Sequence, residues 1–264
     1  MPRYDFRTPR VFTEAPLGPG GVVAFDRDQV NYLLNVLRLK GGDAVLLFNG
    51  HDGEWRASLA AAGKRSLSAA VGERLRAQPA ASDLHFLFAP LKHARLDYMV
   101  QKAVELGVSR LQQVLTQHTQ VARINTERMR ANVVEAAQQC GVLALPEVAE
   151  PVSFNRVADT AAADRMLVFC DEDAEVKNPV AALDGARPSG GALLPAEAAR
   201  AGWPMAVLIG PEGGFSDDER AALLKRPNIV RLSLGPRILR ADTAAVAALT
   251  LVQAVLGDWR GGAA

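Results

Sequence analysis

The chain has 264 residues, of which 49% are hydrophobic and 22% charged, with a formal net charge of +1. These are globular proportions with room for two ordinary domains or one large one, and no apolar run reaches the ~18 residues of a spanning helix. The opening "MPRYDFRTPR" lacks the apolar segment of a secretory signal. Two cysteines, Cys140 and Cys170, are too few for a disulfide framework, and no His/Cys cluster has zinc spacing. They read as small buried apolar residues, no metal is expected, and the expected location is the cytoplasm.

Charge is distributed unevenly at the start. Residues 1–82 hold 11 Lys/Arg against 8 Asp/Glu, and Arg3, Arg7 and Arg10 share a short leader with Tyr4 and Phe6. Such a segment is either a solvated arm or one that grips a nucleic-acid backbone. The runs "GVVAF" (21–25) and "AVLLFNG" (44–50) then read as strands, and 45–60 as a hairpin turning at "HDG". Between them, 26–43 carries Val30, Leu33, Leu34 and Leu37 at helical spacing, stopped by Gly41-Gly42. A small barrel-like β domain fits, with "AQPAAS" (77–82) as a linker.

Strands and helices then alternate. Strands are expected at 84–91, 111–117, 165–170, 205–210 and 228–235, and helices at 94–107 and 125–141, ending at Gly107 and Gly141. Ser216 and Glu219 have capping-box spacing ahead of a helix at 217–225. The last helix, 243–256, is apolar almost all round, which calls for deep packing or an interface. This alternation argues a parallel sheet covered on both faces. Residues 171–203 form a long Pro/Gly/Ala-rich insertion without an assigned place.

One loop carries chemistry. "LIGPEGGFSDDE" (208–219) sits at a strand-to-helix corner, where glycines usually mark close approach of a ligand to the backbone. It lacks the G-x-x-x-x-G-K-[ST] spacing of a P-loop and the G-x-G-x-x-G of a dinucleotide site. Glu212 beside bare amides would also repel a phosphate. The loop therefore suits a ligand that is not strongly anionic.

Four stretches occur in a distinctive order: "LLNVLRLKGGD" (33–43) with "LFNGHDGEW" (47–55), "LDYMVQKAVELGV" (96–108), "LIGPEGGFSDDE", and "LSLGPRILRADTA" (232–244). The series closely resembles the bacterial 16S ribosomal RNA (uracil-N3)-methyltransferase family of the SPOUT class, over nearly the whole chain. The resemblance implies an α/β fold whose C-terminal parallel sheet has helices on both faces and a trefoil knot, preceded by a small β-barrel, PUA-like domain. The expected limits are 1–76 for the RNA-binding β domain, 77–82 for the linker and 83–264 for the methyltransferase domain with its insertion at 171–203. The implied cofactor is S-adenosylmethionine, which has no phosphate and whose sulfonium and amino-acid end tolerate Glu212. Its expected contacts are Ile209, Gly210, Glu212, Gly213 and Gly214 in one loop, and Leu232, Leu234, Gly235, Ile238, Leu239 and Thr243 around the other.

For the chemistry, Arg240 is the candidate cation facing the uracil oxygens and Asp242 the candidate proton acceptor. Phosphate binding by Arg240 and capping of the last helix by Asp242 are the alternatives. RNA contacts are expected from Arg3, Arg7, Arg10, Arg38, Lys40, Lys102 and Arg123. The implied partners are 16S ribosomal RNA in the small subunit and a second copy of the chain, paired through the knot domain, with no membrane. This chain departs from the family pattern in "TQHTQVAR", where an arginine-serine pair is usual, at Val142, where arginine is usual, and at Asp242, where glutamate is common. Two other readings remain open: a SPOUT enzyme acting on a ribose 2′-hydroxyl, and a non-catalytic RNA-binding protein that retains the knot.

Overall fold

The computed structural model describes residues 5, 7–60, 66–120, 124–157, 165–175, 178–186 and 203–260. Arg3, Arg123 and most of the 171–203 insertion lie outside the described residues. The chain forms two compact units, Met1–Pro79 with Ala137–Leu145, and Ala80–Ala136 with Pro146–Ala264. The first therefore takes a segment from beyond the expected linker.

The first unit is a five-stranded sheet in the order β1-β3-β4-β5-β2, built from β1 (Arg10–Phe12), β2 (Val22–Ala24), β3 (Ala44–Phe48), β4 (Glu54–Ala60) and β5 (Ser68–Arg76). Only the β1–β3 pair is parallel. Alternation places Val45, Leu47, Ala57, Leu59, Ala69 and Val71 in its core, with Val23 and Leu33. The helix α1 (Arg27–Asn31) opens with a capping box in which the Asp26 carboxylate accepts the Gln29 N–H at 2.8 Å. It does not continue to Gly41. A π-helical turn spans Tyr32–Val36, and Arg38 then enters the left-handed region at φ 58°. Widening the turn seats Leu33 fully in the core, and the left-handed residue ends the helix before the glycines are reached. Arg38 and Lys40 keep substantial exposure, as does Arg7.

The second unit carries the parallel sheet, in the order β12-β10-β11-β6-β7-β8. Its strands are β6 (Leu84–Phe88), β7 (Arg110–Leu115), β8 (Glu147–Val148), β10 (Met166–Cys170), β11 (Met205–Ile209) and β12 (Ile229–Leu232), with β9 (Val152–Ser153) pairing β7. The helices are α2 (His93–Glu105), α3 (Thr126–Cys140), α4 (Pro179–Gly185), α5 (Asp217–Leu224) and α6 (Ala241–Val255). Leu87, Leu167, Phe169, Ala206 and Leu208 line one sheet face with Leu223 of α5. The alternate residues Phe86, Phe88, Val168, Val207 and Ile209 point to the other face, where α6 meets β11 and packs with α2 and α4. Gly107 and Gly141 end α2 and α3 at φ 76° and 66°. In α6, Ala245, Ala248, Leu249 and Val252 are buried while Val246, Ala247, Thr250 and Leu251 are half-buried. Among the described residues, no helix is long and apolar enough to cross a membrane. Cys140 is exposed, contrary to the expectation of a buried residue, because it ends α3 just before Gly141.

One ion cluster locks the first unit. Glu54, 3% exposed, accepts hydrogen bonds from Arg10 Nε at 2.8 Å and from Arg76 Nε and Nη2, each at 2.8 Å. Arg10 is thus buried against its own fold and does not belong to a basic RNA-gripping leader. Burial alone would push the Glu54 carboxyl up, but the two guanidinium groups outweigh it and hold it below the ordinary range. The cluster's stabilisation is complete above the ordinary glutamate value, ~4.3, and is lost as the pH falls through the lowered one. Glu54→Ala, which leaves Arg10 buried without a counter-charge, should cost about 3–5 kcal/mol at pH 7. Urea denaturation should show that difference unchanged down to about pH 5 and shrinking below about pH 4. A difference that persists at low pH would contradict the assignment.

Candidate functional site

The carboxyl ends of β10, β11 and β12 lie side by side, the usual place for a ligand in a parallel α/β sheet. β11 runs out at Ile209 into Gly210, and a turn follows in which the Gly214 N–H donates to Pro211 O at 3.0 Å. Gly210 has no room for a side chain, since a Cβ there would sit 2.6 Å from the ring of Phe215. That ring folds back onto Phe169, with centroids 5.3 Å apart. Gly214 is left-handed at φ 70°. Ser216 then caps α5, and Glu219 completes the capping box by accepting the Ser216 N–H at 3.0 Å.

The same glutamate reaches further. Its other oxygen accepts the Gln117 N–H at 2.8 Å, and His118 Nδ1 lies 3.2 and 3.1 Å from the carbonyls of Gly213 and Gly214. Because both partners are acceptors, His118 carries its proton on Nδ1. Arg95, at the start of α2, lies 3.5 Å from the Glu212 carboxylate. The glycine loop is thus stitched to the loop after β7 and to α2.

On the β10 side, Asp171 is 4% exposed and accepts from Arg220 of α5 at 3.2 and 3.1 Å and from Arg231 of β12 at 2.8 Å. Burial would raise this carboxyl, but those hydrogen bonds and the Asp173 N–H bring it below the ordinary range. The neighbouring Cys170 is half-buried. Burial of its sulfur, and the charge of Asp171, push its thiol up to about 12, so it is no thiolate nucleophile at neutral pH. After β12, residues 233–240 form a loop in which Gly235 sits at φ 102°. Ile238 at its tip is 93% exposed.

Between these loops is a cavity of about 470 Å³, within the range of small-molecule sites. Of the residues expected from sequence, Ile209, Gly210, Glu212, Gly214, Leu232, Leu234, Gly235, Ile238, Leu239 and Arg240 line it. Three others do not. Gly213 faces His118, with space for a Cβ at 3.4 Å from the His118 Cβ. Thr243 is exposed in the first turn of α6. Asp242 accepts the Thr243 N–H at 3.0 Å, the contact of a first-turn helix residue and not of a proton acceptor aimed into the cavity. Lys102 is also committed elsewhere, at 2.7 Å from Glu105 and over the Tyr98 ring.

The cavity has walls that sequence reasoning does not supply: Phe169, Asp171, Glu172, Asp173, Phe215 and Arg220 among them. Phe215 lies within the glycine-loop motif, and its neighbour Gly210 is the available signal. Asp171 and its arginines are 49 and 60 residues apart, and no local pattern joins them.

Residues 78–253 match the family model of an RNA methyltransferase domain, and residues 25–71 that of an RNA methyltransferase PUA domain. Ribosomal RNA small subunit methyltransferase E of Rickettsia conorii is 28% identical over 245 residues, spanning 92% of this chain and 94% of the relative. Its counterpart in Synechocystis is 32% identical over 235 residues, spanning 86% and 71%. A solved Legionella pneumophila structure in complex with the cofactor SAM has a TM-score of 0.77 at 28% identity, covering 94% of this chain and 98% of that one. The Neisseria gonorrhoeae ribosomal RNA small subunit methyltransferase E, bound to S-adenosyl methionine, has a TM-score of 0.80 and covers 96% and 100%; at 24% identity it speaks to the fold alone. With a parallel sheet, glycine loops at its carboxyl edge and a family model matched over most of its length, this chain belongs to the RNA methyltransferase family of the ribosomal RNA small subunit methyltransferase E type.

Proposed function

We propose that this chain transfers the methyl group of S-adenosylmethionine to N3 of a uridine in the 16S RNA of the small ribosomal subunit, in the cytoplasm. The observation that carries the reading is the cavity closed by the 210–216 and 233–240 loops, in a chain of this family. Its chemistry fits a cofactor without phosphate. Among the described residues no lysine lines it, Gly214 and Gly235 hold left-handed turns that leave backbone groups accessible, and acids and arginines share the walls. The order β12-β10-β11 also makes the chain cross β10 between β11 and β12, which supports the knotted threading of SPOUT enzymes. In this reading the first unit is the PUA-like RNA-binding domain. Arg7, Arg38 and Lys40 are among its exposed cations, of the kind that meet phosphates.

When bound, the cofactor supplies a methyl already made electrophilic by its sulfonium. The remaining burden falls on the nucleophile, since uracil N3 carries a proton at neutral pH and its lone pair is tied into the ring amides. With the N3 proton passing to solvent water, the residues of this chain act by positioning N3 and by stabilising the resulting negative charge on the uracil oxygens. Arg240 is the candidate for stabilising that charge, because it lines the cavity, its side chain is exposed, and it makes no capping hydrogen bond to α6. Homodimerisation is part of the same proposal. The half-buried apolar face of α6 around Val246, Ala247 and Leu251 is the surface that supports it.

The deciding experiment is methyl transfer from labelled S-adenosylmethionine to small subunits from a strain lacking the enzyme, with the modified position mapped. Methyl on a ribose 2′-oxygen, or none, would replace the proposal with one of its alternatives. In single-turnover assays at saturating RNA and cofactor, Arg240→Ala should lose ~10²–10³ in rate. Asp242→Asn, a first-turn change, should stay within about 0.5 kcal/mol of wild type, roughly twofold. Calorimetry should separate the glycines. Gly210→Ala must displace Phe215 and should destabilise by about 1–3 kcal/mol and weaken cofactor binding, whereas Gly213→Ala meets only van der Waals contact and should bind nearly as wild type. Light scattering at micromolar concentration should report a dimer, whose interface would bury on the order of 1,600 Å² or more; a monomer mass would remove that part of the reading.

A further inference from the structure

The acidic wall of the cavity is not uniformly acidic in effect. Asp171 is neutralised by Arg220 and Arg231, Asp173 lies 3.9 Å from Arg220, and Glu212 faces Arg95 at 3.5 Å. Glu172 differs. It lines the same cavity and is exposed there, and among the described residues it has no hydrogen bond or ion pair. Its placement is set by its neighbours. The Asp171 N–H extends the β10–β12 ladder by donating to Leu232 O at 3.1 Å, and Arg231 Nη2 donates to Asp173 O at 2.8 Å. Pinned on both sides, Glu172 has its Oε1 3.4 Å from the point where a Cβ on Gly214 would sit, so its carboxylate borders the glycine loop.

We infer that Glu172 discriminates cofactor from product by charge, favouring the sulfonium of S-adenosylmethionine over the neutral thioether of S-adenosylhomocysteine. The inference rests on the proposed cofactor. The two molecules share adenine, ribose and the amino-acid end, and differ by one methyl and one unit of positive charge. Any group that binds the shared parts treats them alike. A net charge left unpaired on the wall separates them: among the described residues Glu172 is the acid left so, beside the glycine loop, while Arg237 and Arg240 line the cavity from the 233–240 loop. A carboxylate facing a cation across several ångströms of partly solvated cavity favours it by about three- to tenfold. The bias operates in the useful direction, since the site loses that attraction once the methyl has left, and product leaves more readily.

The test is calorimetric titration of the full-length protein with S-adenosylmethionine and with S-adenosylhomocysteine, for wild type, Glu172→Gln and Glu172→Asp, with melting temperature measured in parallel. Glu172→Gln should weaken the sulfonium ligand by about three- to tenfold and leave the thioether within about twofold. Glu172→Asp should restore most of the preference, and the melting temperatures should coincide. An equal loss for both ligands would assign Glu172 to the ribose or the amino-acid end and overturn the inference. So would an unchanged ratio, including one accompanied by a slower methyl-transfer step. Wild-type protein that binds neither ligand would overturn the proposed function itself, and this inference with it.

Discussion

The site depends on one buried carboxylate. Asp171 stands one residue beyond β10, where the sheet ladder gives way to loop, and gathers Arg220 from α5 and Arg231 from β12. The end of β10, the helix α5 and the strand β12 are thereby cross-linked beside the cavity. A buried ion group of this kind contributes little net stability, because desolvation offsets much of the attraction. Its effect is geometric: each bonded arginine has one acceptable position, and the strand end between them cannot drift. The carboxylate's lowered pKa is the thermodynamic trace of that arrangement, since the folded protein favours the charged form.

The opposite edge of the cavity is held by an aromatic wedge as well as by charge. Phe215 occupies the space above Gly210 and anchors on Phe169 and Phe154, so the loop's path is dictated by an aromatic wedge. Glu219 and His118 then tie that loop to the segment after β7. His118 Nδ1 faces two carbonyl oxygens, a pair that calls for hydrogen on that nitrogen. Gln117 and His118, in the segment after β7, therefore have an architectural role in this chain.

What can be read from sequence follows the range of the interactions. Strand–helix alternation, the Ser216 capping box, the glycine stops at Gly107 and Gly141 and the position of both cavity loops are local patterns, and they are legible. The course of 32–38 is not, because a π-turn is chosen by the burial of Leu33 against distant strands. Nor is β5, where "SAAVGERLR" has small and charged residues whose partners lie on β4 and β2. Arg10 reads as part of a basic leader, yet Glu54 is 44 residues away and claims it. Asp242 reads as a base beside Arg240 because the two are close in sequence, but Arg240 sits in extended backbone as the N-cap while Asp242 is already helical. Two steps along the chain carry its carboxylate to its own helix N–H and off the cavity wall. Ile209 through Gly214 show the same effect in miniature, with Gly213 turned toward His118 between cavity-lining neighbours.

A formal net charge of +1 conceals how this site uses charge. Arg237 and Arg240 line the cavity from the 233–240 loop without hydrogen bond or ion pair among the described residues, and Glu172 does so from the strand end after β10. Free charges of opposite sign in one cavity would ordinarily find each other and cancel. They stay apart because each is borne on a segment whose backbone is constrained: Glu172 between two pinned aspartates, and the arginines on a loop that turns through a left-handed Gly235. The cavity consequently offers a cation and an anion separate places, with acidic character beside the glycine loop and basic character on the outer loop. Methyl transfer from a sulfonium to uracil N3 consumes the positive charge of one reactant while the other passes through anionic character. A site that holds unpaired charges of both signs in place before either reactant arrives needs no rearrangement when the methyl moves.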